Sequence, residues 1–218
     1  MSNRPYESYI LKAIIFDWDL TLWNSWDLHL RLLRRTADAL GLPRPGQNAV
    51  AREFHRPFFQ HLGWFFKMDQ KRVVDTYMSF YQEDVTWAGR LYPKAADTLG
   101  ALKDRGYLLG LFSDKRRSFG QPELDQSGIG EMLDYVMFLE DGRPYKPDPA
   151  GLIQVVSALG VPAEEAMYVG DASQDVECAQ RAGLASGAAL WGSVDRDELL
   201  RRQPSYRWER MDRILDSL

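Results

Sequence analysis

A short apolar run, residues 13–16, leads directly into two aspartates one residue apart, Asp17 and Asp19. An uninterrupted run of this kind is typical of a strand buried on both faces of a parallel sheet. Open α/β sheets bind ligands at the carboxyl ends of their strands, where these acids lie. Residues two apart on an extended chain point the same way, so both carboxylates are expected to face one substrate. The alternative is that they are turn residues, among which aspartate is common.

Two later apolar runs also end in polar side chains. Ser113 follows residues 107–112, where its hydroxyl can donate to a phosphate oxygen or, alternatively, cap the next helix. Asp171 and Asp175 follow residues 166–169 and share one face of a helix that begins between them. Their carboxylates suit Mg²⁺, although an acid at Asp175 also fits a first helical turn that faces the helix dipole.

A lysine flanked by prolines is the remaining candidate. Pro147 and Pro149 stiffen the segment after Lys146, and Asp148 and Pro149 suit the N-cap and the first position of a helix. Lys146 is thereby expected just before a helix, where its ammonium can neutralise a phosphate and a carboxylate together. The alternative is an ordinary solvated surface lysine.

The alternation of apolar runs with helical patterns predicts an α/β fold with a doubly wound parallel sheet. Strands are expected at 11–17, 107–112, 135–139, 166–169 and 185–190, and core helices at 93–105, 117–127, 149–159, 174–182 and 208–215. The separation between Asp17 and Ser113 is far longer than one crossover needs. It contains helical patterns at 26–40, 47–61 and 69–84, with Gly63 between the last two. We therefore expect a helical cap domain over 24–88, inserted into a core formed by 1–23 and 89–218.

Composition excludes several classes of protein. The chain has 218 residues, 45% of them hydrophobic, and a formal net charge of −4. It therefore lacks the excess of basic residues that is typical of nucleic-acid-binding proteins. No segment has the length of a membrane span, and the first residues lack a signal-peptide pattern. Cys178 is the single cysteine and is expected to be a packing residue. These features favour a cytoplasmic protein without a membrane partner, and they do not choose between a monomer and a homodimer.

The predicted cap is rich in aromatic residues, most of which are expected to form the core of a small helical bundle. Phe58 or Trp64 is a candidate for the substrate pocket, and the basic residues that can meet an anionic substrate are His55, Arg56, His61 and Lys67. Solvated positions are the alternative for these basic side chains. Trp18 lies between the two acids, points the other way and is expected to belong to the core.

Taken together, these residues resemble the haloacid dehalogenase (HAD) superfamily of hydrolases, and in particular its phosphoglycolate-phosphatase-like branch. Four motifs occur in the family's order and cover nearly the whole chain: Asp17, Asp19 and Thr21; Ser113; Lys146; and Gly170, Asp171 and Asp175. The turn at Trp191 and Gly192 is also similar to that branch. Two positions depart from the pattern, since Leu20 replaces the usual glycine and Ala172 the usual serine or threonine. Neither departure removes a charged group.

The resemblance implies a HAD-like core with a helical cap and a Mg²⁺-dependent phosphatase that acts on a small phosphorylated metabolite. Asp17 is expected to attack phosphorus and form an aspartyl-phosphate, and Asp19 to serve as general acid and then base. Ser113 and Lys146 are expected to hold phosphate oxygens, with Thr21 supporting the loop. The expected metal-binding residues are Asp17, Asp171, Asp19 through its backbone carbonyl, and Asp175 through metal-bound waters.

Three alternatives share some or all of these motifs. A sugar phosphomutase of the same superfamily would return the phosphoryl group to its substrate. A catalytically idle binding protein would keep the fold without needing so many charged groups. A phosphonate hydrolase would use a lysine from the cap, for which Lys67 and Lys71 are available.

Overall fold

The structure is a computed structural model that describes residues 11–54, 58–84, 90–140 and 142–218, without the side chains of 58–61 and 84. The chain divides into two compact units, one formed by the residues up to Leu22 together with Leu91–Leu218, and the other by Trp23–Arg90. Strands β2 (Trp23–Asn24) and β3 (Arg90–Leu91) pair with each other where the chain passes between the units.

The first unit contains a six-stranded sheet in the order β5-β4-β1-β6-β7-β8, and all five strand pairings in it are parallel. The strands are β1 (Ala13–Phe16), β4 (Leu108–Arg116), β5 (Tyr135–Leu139), β6 (Ala166–Gly170), β7 (Ala185–Ala189) and β8 (Tyr206–Trp208). The chain winds outward from β1 in both directions, so the predicted doubly wound parallel sheet is confirmed.

The central strands are buried on both faces. Every residue of β1 is fully buried, including Ile14 and Ile15, which point to opposite sides of the sheet. Helices cross between the strands at α5 (Ala95–Asp104), α6 (Arg117–Ser127), α7 (Ala150–Leu159), α8 (Ser173–Ala182) and α9 (Arg196–Arg201). Helices α7 and α8 pack against the Ile15 face through a cluster that includes Val155, Tyr168 and Cys178. This burial explains why the strands lack an alternating polar pattern.

The second unit is helical. Its helices are α1 (Trp26–Ala39), α2 (Gln47–Glu53), α3 (Phe58–Phe66) and α4 (Gln70–Asp84). Phe66 and Tyr77 belong to one buried cluster, and Phe65, Phe80 and Tyr81 pack against it, which fits the prediction that most aromatics in this segment form a bundle core. Within that cluster the Tyr77 hydroxyl lies 2.8 Å from Nδ1 of His29.

Several predicted elements differ from the structure. The helix predicted over 47–61 is represented by α2 and α3, and Gly63 lies inside α3 rather than between helices. The helix predicted over 208–215 is wrong, because Tyr206–Trp208 is strand β8 and Met211–Asp216 is a 3₁₀ helix. Helix α9 was not predicted. Within the part of the chain that the structure describes, no helix combines the length and the hydrophobicity of a membrane span.

Candidate active site

The carboxyl edge of the sheet carries the predicted site. Phe16 is in register with Leu111 of β4 and Val169 of β6, so Asp17, Ser113 and Asp171 lie at the same edge. The backbone N–H of Asp17 donates to the Val169 carbonyl at 2.9 Å, which ties the acid to the neighbouring strand. Ser113 lies within β4 rather than beyond it, because β4 continues to Arg116 after a register irregularity that follows Phe112.

Lys146 sits among buried acids rather than in solvent. Its Nζ lies 3.1 Å from Oδ2 of Asp17 and 2.6 Å from Oδ1 of Asp175. The same ammonium donates to the Tyr168 hydroxyl at 3.1 Å, and that hydroxyl donates to the Phe112 carbonyl at 2.9 Å. The alternative of a solvated surface lysine is therefore wrong. Helix α7 begins at Ala150 with Pro149 as its N-cap residue, one position later than predicted, and Asp148 accepts from the Ala150 N–H at 2.9 Å.

Three carboxylates, those of Asp17, Asp171 and Asp175, form a group whose ligand atoms all lie within 4.8 Å of one another. Oδ1 of Asp17 and Oδ2 of Asp171 are buried and have no hydrogen-bond partner among the described residues. Both oxygens of Asp175 are engaged, by Lys146 and by the Ala172 N–H at 2.9 Å. Two unpartnered buried oxygens suit a hard divalent cation such as Mg²⁺, so these residues fit the metal implied by the sequence.

The electrostatics of this group follow from burial and from an excess of negative charge. Burial raises the pKa of Asp17 to about 7, with the Lys146 ammonium opposing the rise and the Asp175 carboxylate adding to it. Burial and the Asp175 carboxylate raise the pKa of Asp171 well above its usual value. Burial lowers the pKa of Lys146, but the Asp17 and Asp175 carboxylates outweigh it and hold that pKa well above the usual value. Three acids face one lysine, which leaves two negative charges to be balanced by protons or by a divalent cation.

The loop after β1 is held by side chains that follow the neighbouring strands β6 and β7. Thr21 donates from its hydroxyl to Oδ1 of Asp171 at 3.0 Å, and its carbonyl accepts from the Trp191 indole at 2.9 Å. Leu20 has a φ of 58°, in the left-handed region that favours glycine. The loop therefore keeps the backbone conformation that a glycine would allow, although a leucine occupies the position.

Asp19 lies apart from the carboxylate group and faces a second lysine. Its Oδ1 is 2.9 Å from Nζ of Lys115, and the same ammonium lies 2.7 Å from Oε2 of Glu123 on α6. The Trp18 indole donates to that Glu123 oxygen at 2.7 Å. Trp18 is fully buried, which confirms its prediction as a core residue, and it packs edge-on against Phe138.

The segments that carry Ser113 and Lys146 are joined by Asp114. Its Oδ2 accepts from the backbone N–H of Lys146 at 2.8 Å, and its Oδ1 accepts from Arg143 at 3.0 Å. Arg143 also donates to the Ser113 carbonyl at 2.8 Å and lies over the Phe112 ring. These bonds fix the main chain of the lysine segment relative to the end of β4.

Several known proteins with similar sequences are phosphatases. The sequence profile of the haloacid dehalogenase-like hydrolases matches residues 14–189. The chain belongs to this family. It is 28% identical over 93% of its length to the pyrophosphatase PpaX of Bacillus velezensis, covering 94% of that protein. It is also 30% identical over 68% of its length to a phosphoglycolate phosphatase of Shigella boydii, covering 58% of that protein.

A solved structure also supports the HAD fold. The crystal structure of a predicted phosphoglycolate phosphatase from Haemophilus somnus 129PT superposes with a TM-score of 0.86 at 25% identity, covering 95% of this chain and 97% of that one. The predictions of a HAD superfamily member and of a HAD-type phosphatase are thereby confirmed.

Sequence reasoning about this HAD protein missed several residues at the sheet edge. Asp114 and Lys115 follow Ser113 directly, so their place at a strand end was a usable signal. Tyr168 was marked more weakly in the sequence, as a hydroxyl-bearing residue within an apolar strand. No sequence feature marked Glu123, because an acid on a helix is usually solvated.

The remaining candidates lie in the helical unit, in helix α8 or outside the described residues. His55 and Arg56 lie outside the described residues, as do the side chains of Phe58 and His61. Trp64 is 45% exposed on the helical unit. Cys178 is buried and its pKa is raised by burial to about 12, so its prediction as a packing residue is confirmed.

Proposed function

We propose that this chain is a Mg²⁺-dependent phosphatase that hydrolyses a small phosphorylated metabolite through an aspartyl-phosphate on Asp17. The observation that carries the proposal is the state of the Asp17 carboxylate. One oxygen is held by Lys146, and the other is buried without a hydrogen-bond partner among the described residues. The ligand atoms that Asp17 and Asp171 offer lie within 4.8 Å of each other. An oriented carboxylate with one uncommitted oxygen is the arrangement that a nucleophile at phosphorus needs.

The proposed reaction has two steps. In the first, an oxygen of Asp17 forms a bond to phosphorus, the ester P–O bond breaks, and Asp19 in its protonated form gives a proton to the departing oxygen. In the second, Asp19 removes a proton from a water that attacks phosphorus, and the Asp17–phosphorus bond breaks. The products are an alcohol and inorganic phosphate, and both acids return to their starting states.

Positive charge and hydrogen-bond donors support the phosphoryl group in both steps. Lys146 and the Ser113 hydroxyl are proposed to hold non-bridging oxygens, and Thr21 to hold Asp171 and the loop. Asp17 and Asp171 would hold Mg²⁺, together with the Asp19 backbone carbonyl, and Asp175 would orient metal-bound waters. When bound, the cation would offset the repulsion between the attacking carboxylate and the phosphate dianion.

The core unit is proposed to carry this chemistry, and the helical unit, with residues 24–88 as a cap domain, to contribute to substrate selection. The names of the relatives suggest compounds for the first trials, namely phosphoglycolate and pyrophosphate. Sugar phosphates and nucleoside monophosphates belong in the same panel. We propose a cytoplasmic location for an enzyme acting on such metabolites.

The test is phosphate release from this panel, with Mg²⁺ and with chelator, for the wild type and Asp17→Asn. We expect metal-dependent release by the wild type and none above background by the variant, because an amide oxygen is a poor nucleophile. Asp97→Asn is the matched control, since the Asp97 side chain is 71% exposed and pairs with Lys94 at the surface, so full activity is expected.

Two results would contradict the proposal. Substantial turnover by a folded Asp17→Asn protein would remove the nucleophile assignment. Isomerised sugar phosphate without net phosphate release would replace the phosphatase by the phosphomutase alternative.

A further inference from the structure

Lys115 lies between two carboxylates that come from distant parts of the core unit. Its Nζ is 2.9 Å from Oδ1 of Asp19 and contacts both oxygens of Glu123, at 2.9 and 2.7 Å. The Lys115 side chain is only 13% exposed and that of Glu123 only 2%. An ion pair this deeply buried is rigid, because each partner would lose its charge compensation if it moved.

Glu123 is itself fixed from a second direction. The Trp18 indole N–H donates to Oε2 of Glu123 at 2.7 Å. Trp18 is fully buried and packs against Phe138, so its ring position is set by the core. Since Trp18 and Asp19 are neighbours in the chain, the contacts form a closed ring that runs from Trp18 through Glu123 and Lys115 to Asp19.

A purely structural account leaves part of this ring unexplained. Lys115 and Glu123 already neutralise each other, and a buried pair of this kind can be replaced by apolar residues without loss of stability. The additional contact reaches a carboxylate that is about one quarter exposed and that the core does not need to bury. What the ring provides is a fixed rotamer for Asp19.

We infer that Lys115, held in place by Glu123 and the Trp18 indole, is a positioning residue that fixes the Asp19 carboxylate for proton transfer to the leaving group. The inference rests on the proposed function, in which Asp19 is the general acid. Proton transfer needs the two heavy atoms within about 2.6–3.2 Å, and a misplacement of about 1 Å can lower a rate about 100-fold. Loss of the Lys115 ammonium removes the ion pair at 2.9 Å that orients the Asp19 carboxylate, and the geometry for proton transfer is then less well defined.

The experiment compares two substrates that differ in their need for a proton. An alkyl phosphate has a poor leaving group that must be protonated, whereas p-nitrophenyl phosphate releases a stable anion that needs little help. The parameter is kcat/KM with Mg²⁺, which reports steps up to departure of the leaving group and omits the later hydrolysis of the phosphoenzyme. Non-specific damage to the active site would lower kcat/KM by the same factor on both substrates.

For Lys115→Met we expect kcat/KM to fall about 100-fold on the best alkyl phosphate of the panel and less than about threefold on p-nitrophenyl phosphate. Lys115→Arg is expected to recover much of the loss, because it keeps the charge and the donors. Glu123→Gln and Trp18→Phe should show the same selectivity at smaller size, and they test the inference if Lys115→Met does not fold. Lys103→Met, which removes a surface pair with Asp134, is the control with no selective effect.

Asp19→Asn separates the inference from the proposed function. If that variant loses alkyl activity selectively while the Lys115, Glu123 and Trp18 variants lose none, or lose both activities equally, the inference is overturned and the general acid stands. If Asp19→Asn itself loses both activities equally, the acid role is overturned and the inference with it. Selective loss in both Asp19→Asn and Lys115→Met establishes the positioning role.

Discussion

At the scale of single residues, Leu20 is a clear difference from the HAD pattern, because it replaces the usual glycine. Its φ of 58° lies in a region that costs a residue with a Cβ about 1–2 kcal/mol. Its side chain is fully buried, and burial of a leucine contributes about 1.5–3 kcal/mol. The leucine is therefore tolerated because its burial offsets the backbone strain beside Asp17 and Asp19, the two acids proposed to be catalytic.

This balance predicts an unusual order of stability for two truncations. Leu20→Ala and Leu20→Gly both lose the buried side chain, but only glycine also relieves the backbone strain. We expect Leu20→Gly to be more stable than Leu20→Ala by about 1 kcal/mol, the reverse of the order where φ is negative. Denaturant unfolding of both variants measures the difference. A more stable alanine variant would show that the loop is unstrained.

At the scale of elements, the turn after β7 holds the loop after β1. Trp191 donates to the Thr21 carbonyl, and a Cβ added at Gly192 would lie 1.6 Å from the Leu20 carbonyl oxygen. That neighbour is backbone, which cannot move away by changing a rotamer. The glycine is needed for close approach of the two segments rather than for its own backbone angles.

Gly192→Ala is therefore expected to displace the segment from Leu20 to Thr21. We expect kcat/KM to fall about 10-fold or more and the thermal midpoint to fall by several degrees, since a forced displacement of about 1 Å disturbs both packing and catalytic geometry. Gly100→Ala is the control, because nothing lies within 4 Å of a Cβ there and α5 gains a better helix former. Equal behaviour of the two variants would contradict this account of the turn.

At the scale of the whole molecule, the buried acids link stability to pH. In the absence of metal the pKa of Asp17 is raised from 3.8 to about 7, and that of Asp171 is raised as well. Between the two values the folded protein binds more protons than the unfolded chain. The free energy of unfolding therefore falls as the pH rises through that window.

We expect the thermal midpoint in chelator to fall by several degrees between about pH 5 and about pH 8, at about 2–4 °C per kcal/mol for a chain of this size. Mg²⁺ should restore most of the loss at the higher pH and little at the lower, because protons and the cation compete for the same oxygens. Asp171→Asn should flatten the dependence. A thermal midpoint that rises with pH and does not change with Mg²⁺ would show that the buried acids do not cause the pH dependence.

Elements with a local sequence signal could be predicted, whereas elements that depend on contacts with distant residues could not. Residues 13–16 and 166–169 were predictable as strands because each run carries its own signal of burial. Strand β8 was missed because its identity comes from its partner, since Trp208 packs over Gly187 of β7 closely enough to exclude a Cβ there. Gly63 lies inside a helix because packing of α3 on α4 overrides its weak propensity.

The sequence by itself shows that Asp17, Ser113 and Asp171 each follow an apolar run that forms a strand. Because parallel strands align their carboxyl ends, this was enough to predict that the three residues meet at one edge of the sheet. Tertiary structure alone decided what surrounds each acid. Lys115 lies 96 residues from Asp19 along the chain, and Trp18 lies 105 residues from Glu123. Contacts across such distances leave no local pattern, because they arise only when helix α6 and the loop after β1 pack at the same edge of the sheet.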